Sequence, residues 1–406
     1  MAVSEPVAAA APAAKAEQRR ALAVGCGAHA LHDGYTDVIY VMLPLWQAEF
    51  GLPYAAVGLL RTAYTGTMAA LQIPATWLAR RIGAAVVLAG GTALTGLCFC
   101  LAGLGAGFPW LVAALLIGGL GAASQHPIGS ALVARAFEGA RSITAIGTYN
   151  FAGDIGKVAL PALAAALLLL MPWRPTLMAL GLLGFVAALA ILALMPRFAP
   201  EPPPDVTAAR AAGDDGAAAG RLRTGFKLLW SIAAIDSITR AGFMVFVPFL
   251  LIGKGASVTT AGFALTLLFV GGALGKLVCA HIGARFGIIG AIVITEVLTG
   301  AGMLAALLLP LTPTLVLLPL IGVVLNGTSS LTYGSVPQFI APGMRERAFG
   351  IFYTGTLGSG AVSPTVCGFF GDLVGLPNAV TAVAALTLAT IPLALLLRRH
   401  MRAAGA

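Results

Sequence analysis

The chain has 406 residues, of which 59% are hydrophobic and only 10% charged, and its formal net charge is +9. A water-soluble domain carries about 25% charged residues, and a chain this apolar cannot cover its own surface with polar groups. A soluble fold is therefore excluded, the solvent must be lipid, and the basic excess, which sits in short loops, reads as membrane topology rather than as a nucleic-acid footprint.

The chain opens on "MAVSEPVAAAAPAAKAEQRR", an Ala- and Pro-rich stretch whose basic residues follow the Ala run. That order is the wrong one for a signal peptide, so residues 1–20 are expected to form an uncleaved, disordered tail. Twelve apolar runs follow, at about 21–47, 54–79, 84–106, 109–134, 142–170, 174–195, 227–252, 258–284, 287–309, 313–338, 347–372 and 377–398. Each is long enough to cross about 30 Å of hydrocarbon. They are continuous and rich in Leu, Ala and Gly, with no alternation of polar and apolar residues, so they are helices and not barrel strands. Residues 196–226 are Pro-, Ala- and charge-rich without periodicity, and read as a linker between six-helix units at 21–195 and 227–400. Of the 24 Lys and Arg, eighteen fall on one face of this topology, two (Arg174 and Lys254) on the other, and four (Arg61, Lys157, Arg240 and Lys276) within spans. The asymmetry places both termini and the linker in the cytoplasm.

Ionisable groups within spans are costly, about 2.5–3.5 kcal/mol each on insertion scales, and mark a bundle interior or an aqueous cavity. Span 1 carries His29, His32 and Asp33 on one face, with Asp37 a turn further on. An Asp beside a His is either a proton site or a static pair that locks packing. Arg61 in span 2 reads as a gate or a snorkelling residue. In span 4, Pro127 breaks the backbone ladder beside Gln125 and His126. His126 is then a substrate or proton ligand, or a satisfied His at a structural kink. Span 5 contains "TYNFAGDIGK", whose Asp154 and Lys157 are three residues apart and able to pair. That pair is a structural ion pair or a switch that opens when cargo or a proton arrives. Asp236 and Arg240 in span 7 are four apart with the acid first, a favourable helical pair. Arg240 offers a planar fork for carboxylate, phosphate or phosphonate. Lys276 and Glu296 are weaker candidates, and Asn326 and Tyr333 in span 10 add neutral hydrogen-bonding groups. The five Cys are scattered through apolar runs without metal-ligand spacing, so no metal site is expected. No phosphate-binding loop, His-Glu-x-x-His pair or nucleophile elbow is present. ATP is therefore not the expected energy source, and an enzyme and a bound cofactor are not expected.

The two halves echo each other. Gly83 and Gly287 are 204 positions apart; Asp33 and Asp236, Gly147 and Gly350, and Pro161 and Pro364 are each 203 apart. A near-constant offset argues for duplicated bundles in parallel orientation around a midplane site. With these spans the chain resembles a major facilitator superfamily transporter. Within that superfamily, "HALHDGYTD", "LLRTAYTGTMAALQIP" and "SQHPIGSALVARAFEGARSITAIGTYNFAGDIGK" resemble the fosmidomycin-resistance exporters. The turn after span 2 keeps Arg81 and Gly83 of the superfamily's motif, although Arg80 stands at its Asp position and Ala84 and Ala85 replace its basic pair. Leu160, not Gly, precedes Pro161 in span 5.

The resemblance implies an all-α membrane protein of twelve helices, in two parallel pseudo-symmetric bundles, with spans 1, 4, 7 and 10 lining a central cavity. It implies a monomeric secondary transporter of the bacterial inner membrane that moves a small polar or anionic molecule by alternating access. Proton antiport and export, as in antibiotic efflux, are expected, with His32, Asp33 and Asp154 as proton carriers. His29, Gln125, His126, Lys157, Asp236, Arg240, Asn326 and Tyr333 are the expected cargo contacts, and Arg61, Arg81, Gly83 and Pro127 the expected gates. A proton-coupled importer or exchanger of a carboxylate is the alternative, and a ligand sensor of transporter shape a third reading.

Overall fold

In lipid each backbone N–H and C=O must be satisfied within the protein, and a helix does so locally. A computed structural model of the chain describes residues 12–137, 140–196, 216–340 and 345–401, and its regular structure is helical throughout. α1 runs Pro12–Phe50, α2 Tyr54–Ile82 and α3 Ala84–Leu104. α4 spans Phe108–Ala136 and is interrupted by a π-helical turn, Gln125–Gly129, with Pro127 at its middle. α5 is Ala140–Leu170, α6 Trp173–Leu194 and α7 Gly216–Gly253. One helical run, Val258–Leu308, is broken at Gly287 into α8 (258–286) and α9 (288–308). α10 is Leu311–Ser335, α11 Arg345–Val374 and α12 Leu376–Met401.

The early starts of α1 and α7 correct two expectations. Residues 12–20 and 216–226 were expected in the tail and linker but are helical, as their Ala-rich composition favours. The rest of the expected tail and linker, residues 1–11 and 197–215, lies outside the described residues. Nine helices of the described chain are long and apolar enough to cross a bilayer by themselves. α1, α2 and α11 complete the twelve. α1 falls below that measure because it carries His29, His32, Asp33 and Asp37, α2 because several Thr, two Tyr and a Gln accompany Arg61, and α11 because it is rich in Gly, Ser and Thr.

The duplication is visible in the turns. Gly51 and Gly255 end the first helix of each half at φ 61° and 93°, and Gly83 and Gly287 end the second at φ 99° and 72°. These left-handed conformations suit glycine alone. Within the first half, α1 packs on α5, and α3 on α4 and α6. Within the second, α7 packs on α11 and α10 on α8 and α9. The halves meet through α2 against α11 and α5 against α8. Large apolar side chains such as Leu170, Leu189, Leu277 and Leu308 stand exposed around the outside, where lipid covers them.

At the end of the bundle that bears the α1–α2 turn, the halves are sealed. The Asp372 carboxylate at the end of α11 accepts hydrogen bonds from Tyr54 N at 2.7 Å and Ala55 N at 2.8 Å, the first amides of α2. Thr365 Oγ1 donates to Thr62 Oγ1 at 2.8 Å. The Tyr54 ring meets Phe246 and Phe249 of α7 edge-on, with centroids 6.1 and 5.4 Å away. At that same end Arg174 pairs with Glu49 at 2.6 Å, and Lys254 donates to the carbonyls of Leu307, at 2.9 Å, and Leu309.

Candidate functional site

The site begins with how closely α5 lies on α1. A Cβ on Gly156 would collide with the backbone of Ala30, and one on Gly153 would fall 2.6 Å from Asp33 Oδ2. Two missing side chains thus bring the polar face of α5 onto the His–Asp face of α1. On the opposite side of α5, Phe151 and Ile155 are exposed to the lipid region while Asp154 is buried.

Asp33 is the hub. Its carboxylate lies 3.3 Å from Lys157 Nζ, 3.5 Å from His29 Nε2, 3.8 Å from His126 Nε2 and 3.9 Å from His32 Nε2. His29 is oriented by a 2.8 Å hydrogen bond from Nδ1 to the Tyr149 carbonyl and stacks on the Tyr149 ring at 4.1 Å. A carbonyl only accepts, so Nδ1 donates, and the ring is held with Nε2 toward Asp33. His126 stands edge-on to both His29 and His32, placed there by the π-helical turn.

Two more ion pairs complete a row. Asp154 Oδ2 binds Lys276 Nζ of α8 at 2.5 Å, across the two halves. Asp37 Oδ1 lies 3.5 Å from Arg61 Nη2, while Nη1 of the same arginine donates to the Thr36 carbonyl at 2.6 Å and its guanidinium covers the Tyr40 ring. All three carboxylates are buried. They line one cavity of about 580 Å³ between the halves, together with Arg240, Asn326, Tyr333 and Tyr353. The Lys157 and Lys276 side chains keep 36% and 41% exposure, so the cavity communicates with the outside.

Arg240 differs from the other three cations. Among the described residues no carboxylate oxygen lies within 4.0 Å of it, and its Nε is buried without a hydrogen-bond partner. The expected Asp236–Arg240 ion pair is thus not formed. Asp236 is buried and does not line the cavity; Glu296 of α9 is buried too, with its Oε2 unpartnered. The guanidinium is left facing the cavity.

The structure brings His29, Asp33, Asp154, His126, Lys157, Arg240, Asn326 and Tyr333 to one cavity wall. It places His32 and Gln125 just behind, beside a small void of about 10 Å³, and leaves Asp236 outside it. Asp154 and Lys157 lie 3.9 Å apart, but each has a nearer partner on another helix. Arg61 does not snorkel; it is buried in the wall. Arg81 covers the Trp77 ring at the far end of α2, next to the turn at Gly83, away from the cavity. Lys276 belongs in the centre and was underweighted from sequence. Tyr149 and Tyr353 were missed altogether, since a single tyrosine in an apolar run carries no signal of its own.

A twelve-helix duplicated bundle with a charged, water-accessible cavity between its halves is the architecture of a membrane transporter. The sequence matches the Major Facilitator Superfamily over residues 26–233 and 229–405, and the chain belongs to that family. A search of curated proteins gives no match. In fold the chain is similar to a bacterial homolog of the human lysosomal transporter Spinster, in an inward-facing and unoccupied conformation, with TM-score 0.80 and 17% identity over 98% of this chain and 99% of the other. The occupied form of that protein superposes with TM-score 0.78. The nucleoside transporter NupG, as a point mutant, gives 0.71 at 15% identity over 96% and 100% of the chains.

Proposed function

We propose that this transporter carries a small organic anion, with Arg240 as the receptor for its carboxylate or phosphonate group. The observation that carries the reading is the charge pairing of the cavity. Arg61, Lys157 and Lys276 each have a carboxylate partner at 2.5–3.5 Å, whereas Arg240 has none and keeps an unpartnered Nε. Arg240 is half-buried, and a guanidinium held there without a carboxylate and with a buried, unpartnered Nε is costly; an anionic ligand supplies what the protein does not. Asn326 and Tyr333 are placed to bind the neutral part of such a ligand. Asp33, shared among Lys157 and three histidines, is the proposed proton carrier, with His32 beside it and Asp154 as the second carrier.

In this reading both termini face the cytoplasm of a bacterial inner membrane. The sealed end is external, and the cavity opens inward. The likeness of spans 1, 2, 4 and 5 to the fosmidomycin-resistance group favours export by proton antiport. The density of paired cations on the cavity wall equally suits a carboxylate importer or exchanger, and flux direction separates the two.

The test uses the purified protein in nanodiscs and a thermal-shift panel of small carboxylates and phosphonates, fosmidomycin among them, beside neutral and cationic controls. At least one anion should stabilise the wild type and fail to stabilise Arg240→Gln. Stabilisation by neutral or cationic compounds only, or an anion effect that survives Arg240→Gln, refutes the assignment. An imposed inward proton gradient in proteoliposomes then drives that anion out for antiport and in for symport.

A further inference from the structure

We propose that His29, Asp33 and His126 form a binding site for a transition-metal dication of the zinc class, spanning α1 and α4, for which the Lys157 ammonium is the built-in competitor. One donor atom from each of the three residues lies within 4.8 Å of the others. His29 Nε2 is 3.5 Å from Asp33 Oδ2, and His126 Nε2 is 3.8 Å from Asp33 Oδ1. Four donors about 2.0–2.1 Å from a zinc ion stand about 3.3 Å from one another, so the two His–Asp separations need to close by about half an ångström or less, and the widest separation in the cluster by up to about 1.5 Å, which side-chain rotation supplies.

Two further observations point to a ligand. His29 Nε2 and His32 Nε2 are both buried with no hydrogen-bond partner, and their residues are only 4% and 6% exposed. The Tyr149 carbonyl at 2.8 Å fixes the His29 ring with Nε2 aimed at the cluster. This is the support that metal-ligating histidines ordinarily have. His32 Nε2, 3.9 Å from Asp33 Oδ1, supplies a fourth donor. Two or three imidazoles and one carboxylate select zinc, cobalt, nickel or copper over magnesium and calcium, which prefer all-oxygen shells.

Lys157 makes the site conditional. Its ammonium sits 3.3 Å from Asp33 Oδ2, the oxygen that faces His29. A monocation and a dication cannot both occupy that position, so the metal must displace the lysine. There is room for this, because the Lys157 side chain is 36% exposed in the cavity and Asp154 Oδ1 already lies 3.9 Å away. Metal binding therefore moves the lysine's contact from α1 to its own helix, and ties α1 to α4. None of this depends on what the transporter carries.

Three of the protein's five histidines are in the cluster, and the other two, His281 and His400, are in α8 and α12. The test is a cobalt(II) titration of the tag-free protein in nanodiscs, reading visible d–d absorption, followed by displacement with zinc. We expect one cobalt per chain with the intense absorption of a low-coordinate nitrogen–oxygen site. His29→Gln and His126→Gln should each abolish it, and the double variant His281→Gln, His400→Gln should retain it. Lys157→Gln should bind at least tenfold more tightly, since it removes the competing charge; this gain cannot be produced by misfolding. No visible band, a band lost only in the His281, His400 double variant, or unchanged affinity in Lys157→Gln overturns the proposal.

Discussion

Asp372 fastens one half of the protein to the other, and its removal should shift the balance between conformations. Its carboxylate accepts two short hydrogen bonds from Tyr54 N and Ala55 N, at a helix start that has Pro53 as its N-cap, no capping side chain and no acid in its first turn. An N-terminal cap contributes about 1 kcal/mol, and a carboxylate facing the positive end of a helix about 0.3–1 kcal/mol more. Asp372 is exposed, so water competes for it and the 3–5 kcal/mol typical of breaking a buried pair does not apply. The sum is about 1.5 kcal/mol, which is about tenfold in a two-state ratio. The contact exists only while this end is closed, so the whole amount acts on the closed-to-open equilibrium. Spin labels at Ala48 on α1 and Asn378 on α12 report the separation of the halves at that end by pulsed electron–electron resonance. Asp372→Ala should transfer population about tenfold toward the longer distance, and Asp372→Asn, which keeps an acceptor but not the charge, about half as much in free energy. Superimposable distance distributions for wild type and Asp372→Ala would show that the bonds follow closure without favouring it.

The Asp154–Lys276 pair spans the halves at 2.5 Å, so Lys276→Met and Asp154→Asn should each slow cargo flux severalfold, and the exchanged double variant Asp154→Lys, Lys276→Asp should recover part of it; strictly additive losses in that cycle would mean the two groups act separately. Gly156→Ala forces a methyl group against the Ala30 backbone and should cost about 1–3 kcal/mol of stability, read as a lower melting temperature in detergent; an unchanged melt would mean α5 can shift freely. Arg240→Lys keeps the charge but loses the planar fork, and should weaken anion binding about tenfold where Arg240→Gln abolishes it, as measured by calorimetry on the stabilising anion. Asp33→Asn should preserve expression and anion binding while removing flux driven by a proton gradient, and full pH-driven flux in that variant would take Asp33 out of the mechanism.

Much of the fold could be read from the sequence because lipid imposes one rule on every span. Lengths of apolar run, the bias of Lys and Arg, and the offset of about 203 between halves were enough to place twelve helices. The left-handed pairs at Gly51 and Gly255 and at Gly83 and Gly287 reflect the same duplication. The site was legible as a set of residues and much less so as a set of contacts. Spacing along one helix suggested that Asp154 would pair with Lys157 and Asp236 with Arg240. The structure instead pairs Asp154 with Lys276 and Lys157 with Asp33, each across helices, and forms no Asp236–Arg240 ion pair among the described residues. An i,i+3 or i,i+4 pair is worth only a few tenths of a kcal/mol, so any better-placed partner on a neighbouring helix wins. Which partner that is depends on helix rotation, and the rotation follows from close contacts such as Gly156 on Ala30, which span assignment does not contain.

The duplicated acids show how one ancestral register came to serve two kinds of chemistry. Asp33 and Asp236 occupy equivalent positions on α1 and α7. In the first half, Asp33 faces the cavity and gathers groups that exchange protons or cations, namely three imidazoles and an ammonium. In the second half, Asp236 is buried off the cavity, and Arg240, one turn further along, takes the cavity-facing position. Guanidinium stays charged at any pH a cell experiences, and it holds an anion through a fixed fork; imidazole and carboxylate change charge easily. On the proposed reading, a proton-carrying centre at Asp33 on one half and an anion receptor at Arg240 on the other communicate through what lies between them. The groups there are Lys157, Asp154 and Lys276, which form a continuous chain of charge from α1 through α5 to α8. Coupling between the driving ion and the cargo is therefore expected to fail when that chain is cut, even where both end sites still bind.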